Sequence, residues 1–350
     1  MTGVTLPRAT RTRVIGVDPG LSATGYGVIE CGTAVSLVEA GVIRLPRSQG
    51  NNQALKDGTV KPRTFAFDFE EVDPLIAAFR RMVRGNEFDI CEMAITTYIC
   101  AKAHGKPMTA VPVFLVRAFH HGAILVNAKA GIRTPKDLEG RKIGVNRGYT
   151  VTTGVWARSI LQDEHGVDLS KVTWVLSGDE HVAEYRAPAN VVPIEKGKAM
   201  GDMLASGELA AAIGVEANAP DVKPLIPNAL EAGLAALRQR GHYPINHTVV
   251  IKDELIAKHG DLAADVFDAF ARAKRHYVER LKAAKIEKPS EVDEVHRRVM
   301  EITGEPLPYG IAPNRNVIEE LIRHALTQGI ITKPVTADEL FAPSTRALVG

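Results

Sequence analysis

The sequence predicts an α/β fold of two lobes with a ligand cleft between them, preceded by a short β-meander. Three observations carry this. Apolar runs of strand length alternate with helical repeats, which calls for mainly parallel sheets with helices on their faces. Connectivity takes the chain out of one lobe near residue 128 and back near residue 243. And twice a strand runs into paired threonines, an aromatic residue and a helix start. The predicted units are a meander over 1–48, a first lobe from 49–127 with 243–350, and a second lobe over 128–242.

The chain has 350 residues, enough for two lobes with real cores. Forty-three basic against 41 acidic side chains leave a net charge of +2, which gives no nucleic-acid or membrane footprint. Aromatic content of 5% also weakens a base-stacking role. Cys31, Cys91 and Cys100 have no metal-type spacing and read as reduced thiols. Met1 to Arg13 holds no apolar run of signal length, and nothing approaches 18 consecutive apolar residues. A soluble, cytoplasmic protein with no membrane partner is expected; a homo-oligomer stays open. No internal repeat or metal-ligand motif is evident, so no metal or other cofactor is expected.

Taken in order, Arg13–Asp18 reads as a strand, Pro19–Ser22 as a turn, Thr24–Glu30 as a second strand and Val35–Leu45 as a third. The wording GVDPGLSATGYGVIE resembles the opening of the bacterial Holliday-junction resolvase family, in which the aspartate at the place of Asp18 binds catalytic magnesium. That resemblance covers roughly residues 13–47. Two-metal chemistry needs several carboxylates converging on one site, and the residues after Ser48 do not resemble that family. No nuclease is expected.

Asn51–Pro62 is polar and turn-rich, and Phe65, Phe67 and Phe69 alternate as in a strand. Asp73-Pro74 opens a helix with an apolar stripe of Leu75, Ile76, Phe79, Met82 and Val83; Arg80, Arg81 and Arg84 lie off it and read as a solvated face. Phe88–Ile95 is an apolar strand holding Glu92, either a core carboxylate or an outward one. Thr96-Thr97-Tyr98 follows directly. Val111–Val116 and Ala123–Asn127 are strands flanking Arg117, His120 and His121; the two histidines point to opposite faces, so one of them is a candidate for the cleft.

Lys142–His165 repeats the strand, hydroxyl-rich loop and helix. Arg147, Tyr149, Thr150, Thr152 and Thr153 crowd the loop and first turn, where unpaired N–H groups and the helix dipole favour an anion. Two such starts suggest a ligand with two anionic groups, or one anion gripped from both sides. Val172–Leu176 is the next strand, and the loop after it, Ser177–Arg186, packs Asp179, Glu180, His181, Glu184 and Arg186 where α/β folds meet ligands. Leu230–Arg240 is helical, Tyr243–Val250 returns as a strand with Asn246 and His247, and a long amphipathic helix starts at Asp261. A further amphipathic helix lies near Ile318–Ala325. Assembled, this is the bi-lobed, type 2 periplasmic-binding-protein-like architecture.

From Ala54 to the C-terminus the chain resembles the 4,5-dihydroxyphthalate decarboxylase family. The matching stretches are EFDICEMAITTYICAKAHGKP, PVFLVRAFHHGAILVN, RKIGVNRGYTVTTGVWARSILQDEHGVDL, TWVLSGDEHVAEYR and GHYPINHTVVI. The resemblance implies loss of carbon dioxide from 4,5-dihydroxyphthalate to give protocatechuate, in phthalate-type aromatic catabolism. The family's own first strand and cleft-lining loop are replaced here, with Val42–Leu45 as the substitute strand and Gln49–Gln53 as the altered loop. In such a substrate a deprotonated phenol pushes electrons to the carbon para to it, an acid protonates that carbon, and carbon dioxide leaves without metal or organic cofactor. The protein must hold the spectator carboxylate, take the phenol proton and supply a proton to carbon. Arg147, Tyr149, Thr150, Thr152 and Thr153 are the candidates for the retained carboxylate, and Thr96, Thr97, Tyr98, Arg117, Asn246 and His247 for the rest of the ligand. His121 or His120, His181 and Glu184 are the acid–base candidates. The rival is a non-catalytic binding protein, a receptor-like or sensor protein, for an aromatic acid.

Overall fold

In the computed structural model, which describes residues 12–19, 24–31, 52–70, 72–216 and 219–350, the apolar runs become separate sheets. In chain order the elements begin with the hairpin β1 (Thr12–Pro19) and β2 (Thr24–Cys31), then α1 (Gln53–Lys56), α2 (Leu75–Gly85), β3 (Ile90–Ala94), α3 (Ile95–Ala103) and β4 (Met108–Arg117). There follow β5 (Ile124–Asn127), β6 (Lys142–Val145), α4 (Thr152–Asp163), β7 (Thr173–Leu176), β8 (Val191–Pro193), α5 (Met200–Ser206), β9 (Ala211–Ile213), β10 (Val222–Pro224) and α6 (Ala229–Arg240). The chain closes with β11 (Ile245–Lys252), α7 (Asp253–Lys258), α8 (Leu262–Lys282), α9 (Glu291–Thr303), α10 (Arg315–Thr327) and α11 (Ala337–Leu340).

One sheet has the order β3-β11-β4, the other β10-β5-β9-β6-β7-β8. This is the two-lobed, periplasmic-binding-protein-like α/β fold. Within the larger sheet β9, β6, β7 and β8 are parallel, while β5 is antiparallel to both its neighbours, β9 and the edge strand β10. In the smaller sheet β11 is antiparallel to both neighbours. The sheets are therefore more mixed than helix–strand alternation predicts, because β11 re-enters its sheet from the other lobe. The crossing expected near residue 128 comes earlier: β4 ends at Arg117, and β5 already pairs with β9 and β10. The β5 run is short and apolar, and only pairing partners distant in sequence decide which sheet it joins.

The two crossings sit side by side, since Ile245 opens β11 opposite Arg117 at the end of β4. His120 Nε2 and Asn246 Oδ1, 2.9 Å apart and buried, tie the outgoing and returning segments together. Phe65–Phe69 is not a strand. Its rings pack on one another, Phe65 edge-on to Phe67 and Phe67 stacked on Phe69, and Phe67 meets Phe270 of α8. The hairpin β1–β2 matches the first two predicted strands, and β1 lies alongside β3. The predicted strand Val35–Leu45, the turn at Gly20–Ser22 and the loop before Gln53 fall outside the described residues. No helix among the described residues is long and apolar enough to cross a membrane.

Candidate functional site

The ends of β3, β6 and β7 and the start of β11 converge where the lobes meet. β3 is buried along its length, and Glu92 in its middle is fully buried. Its carboxylate finds a partner on the neighbouring strand: Glu92 Oε1 lies 2.5 Å from His247 Nδ1. With Glu92 ionised its carboxylate only accepts, which puts the proton between them on Nδ1 and leaves Nε2 as the acceptor. His247 keeps 18% side-chain exposure, so this dyad opens outward. Burial and the positive charge of Arg147 push the His247 imidazolium pKa down, which keeps the ring neutral.

Phe79 of α2 stands between two imidazoles, edge-on to His247 at 5.2 Å and to His181 at 6.2 Å. His181, on the loop after β7, is buried and its Nδ1 has no partner among the described residues. Burial, then Arg80 and Arg147, hold its pKa down at about 4. Arg147 has φ +70°, an uncommon conformation for a non-glycine residue. Its main-chain N–H donates to Ser177 Oγ and its carbonyl accepts from Gly178. Its exposed guanidinium bonds to no side chain among the described residues, yet its charge acts on both imidazoles. Thr97 adds a fully buried hydroxyl without a partner among the described residues.

The paired threonines do something other than expected. Thr96 Oγ1 donates to the Thr150 carbonyl at 2.6 Å and lies 2.8 Å from Thr152 Oγ1, so the starts of α3 and α4 bond to each other across the lobes. The N–H groups of Tyr149 and Thr150 and the Thr150 hydroxyl donate to Glu180, an internal carboxylate that already fills the predicted anion cradle. Glu180 closes over Gly148, where any Cβ would meet its carboxylate at 2.6 Å. Of the predicted cradle, Arg147 and the half-buried Thr153, in the first turn of α4, are left for a ligand.

Other candidates serve the fold. The Tyr98 hydroxyl donates to the Leu340 carbonyl and accepts from Ala110 N–H. Arg117 is buried against the Tyr243 ring and donates to the Tyr243 carbonyl and the Asn314 side chain. Tyr149 packs under the buried Arg158 guanidinium, 3.8 Å from its ring centre. His121 pairs with Glu164 at 3.0 Å, just past the far end of α4 and about 18 Å along its axis from Thr152. Glu184 is exposed and ion-paired with Lys106 at 2.7 Å. Both fall outside the cluster, because side-chain type and loop position did not reveal which way each points. Asn246 faces His120 rather than the dyad, alternating with His247 along β11.

Glu92 and Phe79 do more than pattern assigns them: the sequence leaves Glu92 open between a core carboxylate and an outward one, and puts Phe79 in an apolar stripe. Among the described residues one group, Asp163, Glu320 and His324, gathers metal-type donors. Arg323 already holds Asp163 at 2.6 Å and Arg240 holds Glu320 at 2.9 Å, at the C-terminal end of α4.

A family model described as NMT1/THI5 like matches residues 78–284. The chain belongs to the NMT1/THI5-like family. Within reach of it stand two relatives called 4,5-dihydroxyphthalate decarboxylase. The one from Comamonas testosteroni is 32% identical over 284 residues, spanning 76% of this chain and 86% of its own length. The one from Pseudomonas putida is 40% identical over 148 residues, 40% of this chain and 57% of its own. The resemblance to that decarboxylase family is thus borne out. A ligand-binding component of an ABC-type import system from Staphylococcus aureus is 13% identical with a TM-score of 0.49, covering 85% of this chain and 91% of that one. A second family model, crossover junction endodeoxyribonuclease RuvC, matches residues 14–59.

Proposed function

We propose that the protein decarboxylates an aromatic dicarboxylate, 4,5-dihydroxyphthalate, to protocatechuate and carbon dioxide. The observation that carries this is the Glu92–His247 dyad opening beside the unpaired Arg147 guanidinium, in a chain related to proteins of that name. A neutral imidazole oriented by a buried carboxylate is a general base, and the carboxylate stabilises the imidazolium that forms. Arg147 holds the carboxylate that stays, with Thr97 and Thr153 adding hydroxyls.

His247 Nε2 takes the proton of the ring hydroxyl para to the departing carboxylate. The phenolate electrons move through the ring, and the carbon bearing that carboxylate accepts a proton from the imidazole side of the site. The C–C bond then breaks, its electrons restore the aromatic ring, and carbon dioxide leaves; the phenol regains its proton. In sum one proton replaces one carboxylate as carbon dioxide. His181, whose conjugate acid is strong, passes on any proton it receives, which suits a relay to the ring carbon.

Incubating the purified protein with 4,5-dihydroxyphthalate and measuring carbon dioxide and protocatechuate tests the reading. Turnover that falls by about a hundredfold or more in His247→Gln is the expected result. Tight binding with no product would instead make this a binding protein for aromatic acids.

A further inference from the structure

His181 sits on a stretch, residues 177–186, that is neither helix nor strand, so its own segment does not hold the ring. Its own lobe holds the stretch at Ser177, Gly178 and Glu180, through Arg147, Tyr149 and Thr150; a second hold comes from the other lobe. α2 packs on β3, whereas the 177–186 stretch follows β7 of the larger sheet. Arg84, in the last turn of α2, reaches over. Its Nη2 donates to the Glu180 carbonyl at 2.7 Å and to Asp179 Oδ2 at 3.1 Å, and its Nε donates to the His181 carbonyl at 3.1 Å. One turn earlier, Arg80 donates to Asp179 Oδ1 at 2.7 Å. These are the arginines whose pattern suggests a merely solvated face.

An ion pair alone would need only the Asp179 carboxylate, and exposed pairs contribute little to stability. Two of the three Arg84 bonds go instead to main-chain carbonyls, which fixes peptide positions. A planar guanidinium with donors in a rigid fork does this where a lysine ammonium cannot. Phe79, which flanks the His181 ring, is on the same helix.

We propose that Arg84 is a positioning residue: by bridging from α2 to three consecutive residues of the 177–186 stretch, with Asp179 as its anchor, it sets the His181 imidazole against Phe79 and Arg147. The role rests on the decarboxylase reading above. The charges facing His181 are Arg80 and Arg84 from α2, Arg147 from the loop after β6, and Asp179 on its own stretch, with His247 of β11 beyond Phe79. Loss of Arg84 removes one of three cations that disfavour the imidazolium and lets water reach the ring, and both changes raise its pKa.

The test compares wild type, Arg84→Gln, Arg84→Lys and Asp179→Asn in carbon dioxide release from 4,5-dihydroxyphthalate between pH 5 and 9. In parallel, NMR follows the His181 imidazole titration, assigned by its loss in His181→Gln. Arg84→Gln is expected to lower kcat at least about tenfold with KM moved less than about threefold, and to shift the His181 titration from about 4 towards the ordinary ~6.5. Arg84→Lys keeps the charge without the fork, so it recovers only the charge part of the titration shift while kcat stays low. Asp179→Asn gives the same changes in weaker form and serves if Arg84→Gln fails to fold. A rise in KM with kcat and the His181 titration unmoved overturns the proposal in favour of a clasp that only closes the lobes, as does wild-type behaviour. If wild type gives no product, the decarboxylase reading fails, while the NMR titration still decides whether Arg84 places His181.

Discussion

An imidazole that must take a phenolic proton at neutral pH has to be neutral beforehand and stabilised once charged, and the surroundings of His247 supply both. Burial and Arg147 favour the neutral ring, and Glu92 waits at 2.5 Å to balance the imidazolium. Replacing His247 by Gln should therefore lower kcat by ~10²–10⁴ with little change in KM. Glu92→Gln, which keeps a hydrogen-bonding side chain but loses the charge, should fall between that variant and wild type. Steady-state kinetics on both decides it; a His247→Gln enzyme within threefold of wild type removes the dyad from the mechanism. Arg147 invites a different test, because its φ of +70° is one that glycine adopts freely. Arg147→Gly should weaken ligand binding by about 10- to 100-fold, the worth of ~1.5–3 kcal/mol for hydrogen bonds to a charged group. Its thermal midpoint should not fall, since relief of left-handed backbone strain offsets what the side chain contributed. Calorimetric titration and a melting curve report the two halves, and undiminished affinity would sink the anion role.

At the scale of elements, the starts of α3 and α4 are the joint between the lobes. Thr96 donates to the Thr150 carbonyl from a fully buried position, so Thr96→Val leaves that acceptor unsatisfied and should cost ~1–3 kcal/mol of stability. Tyr98→Phe, which strands Ala110 N–H and the Leu340 carbonyl, should cost about as much. Denaturant unfolding measures both, and ligand affinity should hold in Tyr98→Phe, whose side chain points into the core. Thr97→Val should do the reverse, sparing stability and weakening the ligand; equal affinity in that variant argues that its hydroxyl does not face the ligand. This division explains which parts of the site were legible beforehand. The recurrence of strand, threonines and helix start is visible in the sequence and marks the right place. That Thr96 and Thr152 would satisfy each other, and that Glu180 would fill the cradle at Tyr149 and Thr150, depends on side chains 30 to 56 residues apart meeting in space. Likewise Glu92 and His247 are each a lone polar residue on an apolar strand, and only the pairing of β3 with β11 turns them into a dyad. The start of α9 is marked locally, by the capping box that Ser290 and Asp293 form there.

For the whole molecule, the periodicity of apolar runs was enough to predict two α/β lobes, but not that β5 would join the larger sheet or that β11 would run antiparallel in the smaller one. Those follow from the chain crossing twice at one edge, where Ile245 faces Arg117. The same architecture buries imidazoles in both lobes and at the crossings, and this has a consequence for pH. His120, His181, His296 and His324 are all buried, and burial is the largest influence holding each at about 4. In the unfolded chain each returns to ~6.5. Between those values the unfolded state binds more protons than the folded one, so stability is present above about pH 6.5 and drains away as pH falls towards 4. Each group contributes a slope of up to ~1.4 kcal/mol per pH unit, against a total stability of about 5–15 kcal/mol. Carboxylates held low by their partners, such as Glu164 and Glu320, act in the same sense only in more acid solution. The melting midpoint should therefore drop by roughly 10 °C or more from pH 7 to pH 5. Added salt should change this little, because the groups responsible are out of the solvent's reach. His324→Phe, at a fully buried position in contact with Trp156, should flatten part of the pH dependence even if it lowers the midpoint at pH 7. A midpoint level between pH 7 and 5 would mean that the buried histidines carry their protons in the folded state, and would remove the neutral His181 on which the proposed relay depends.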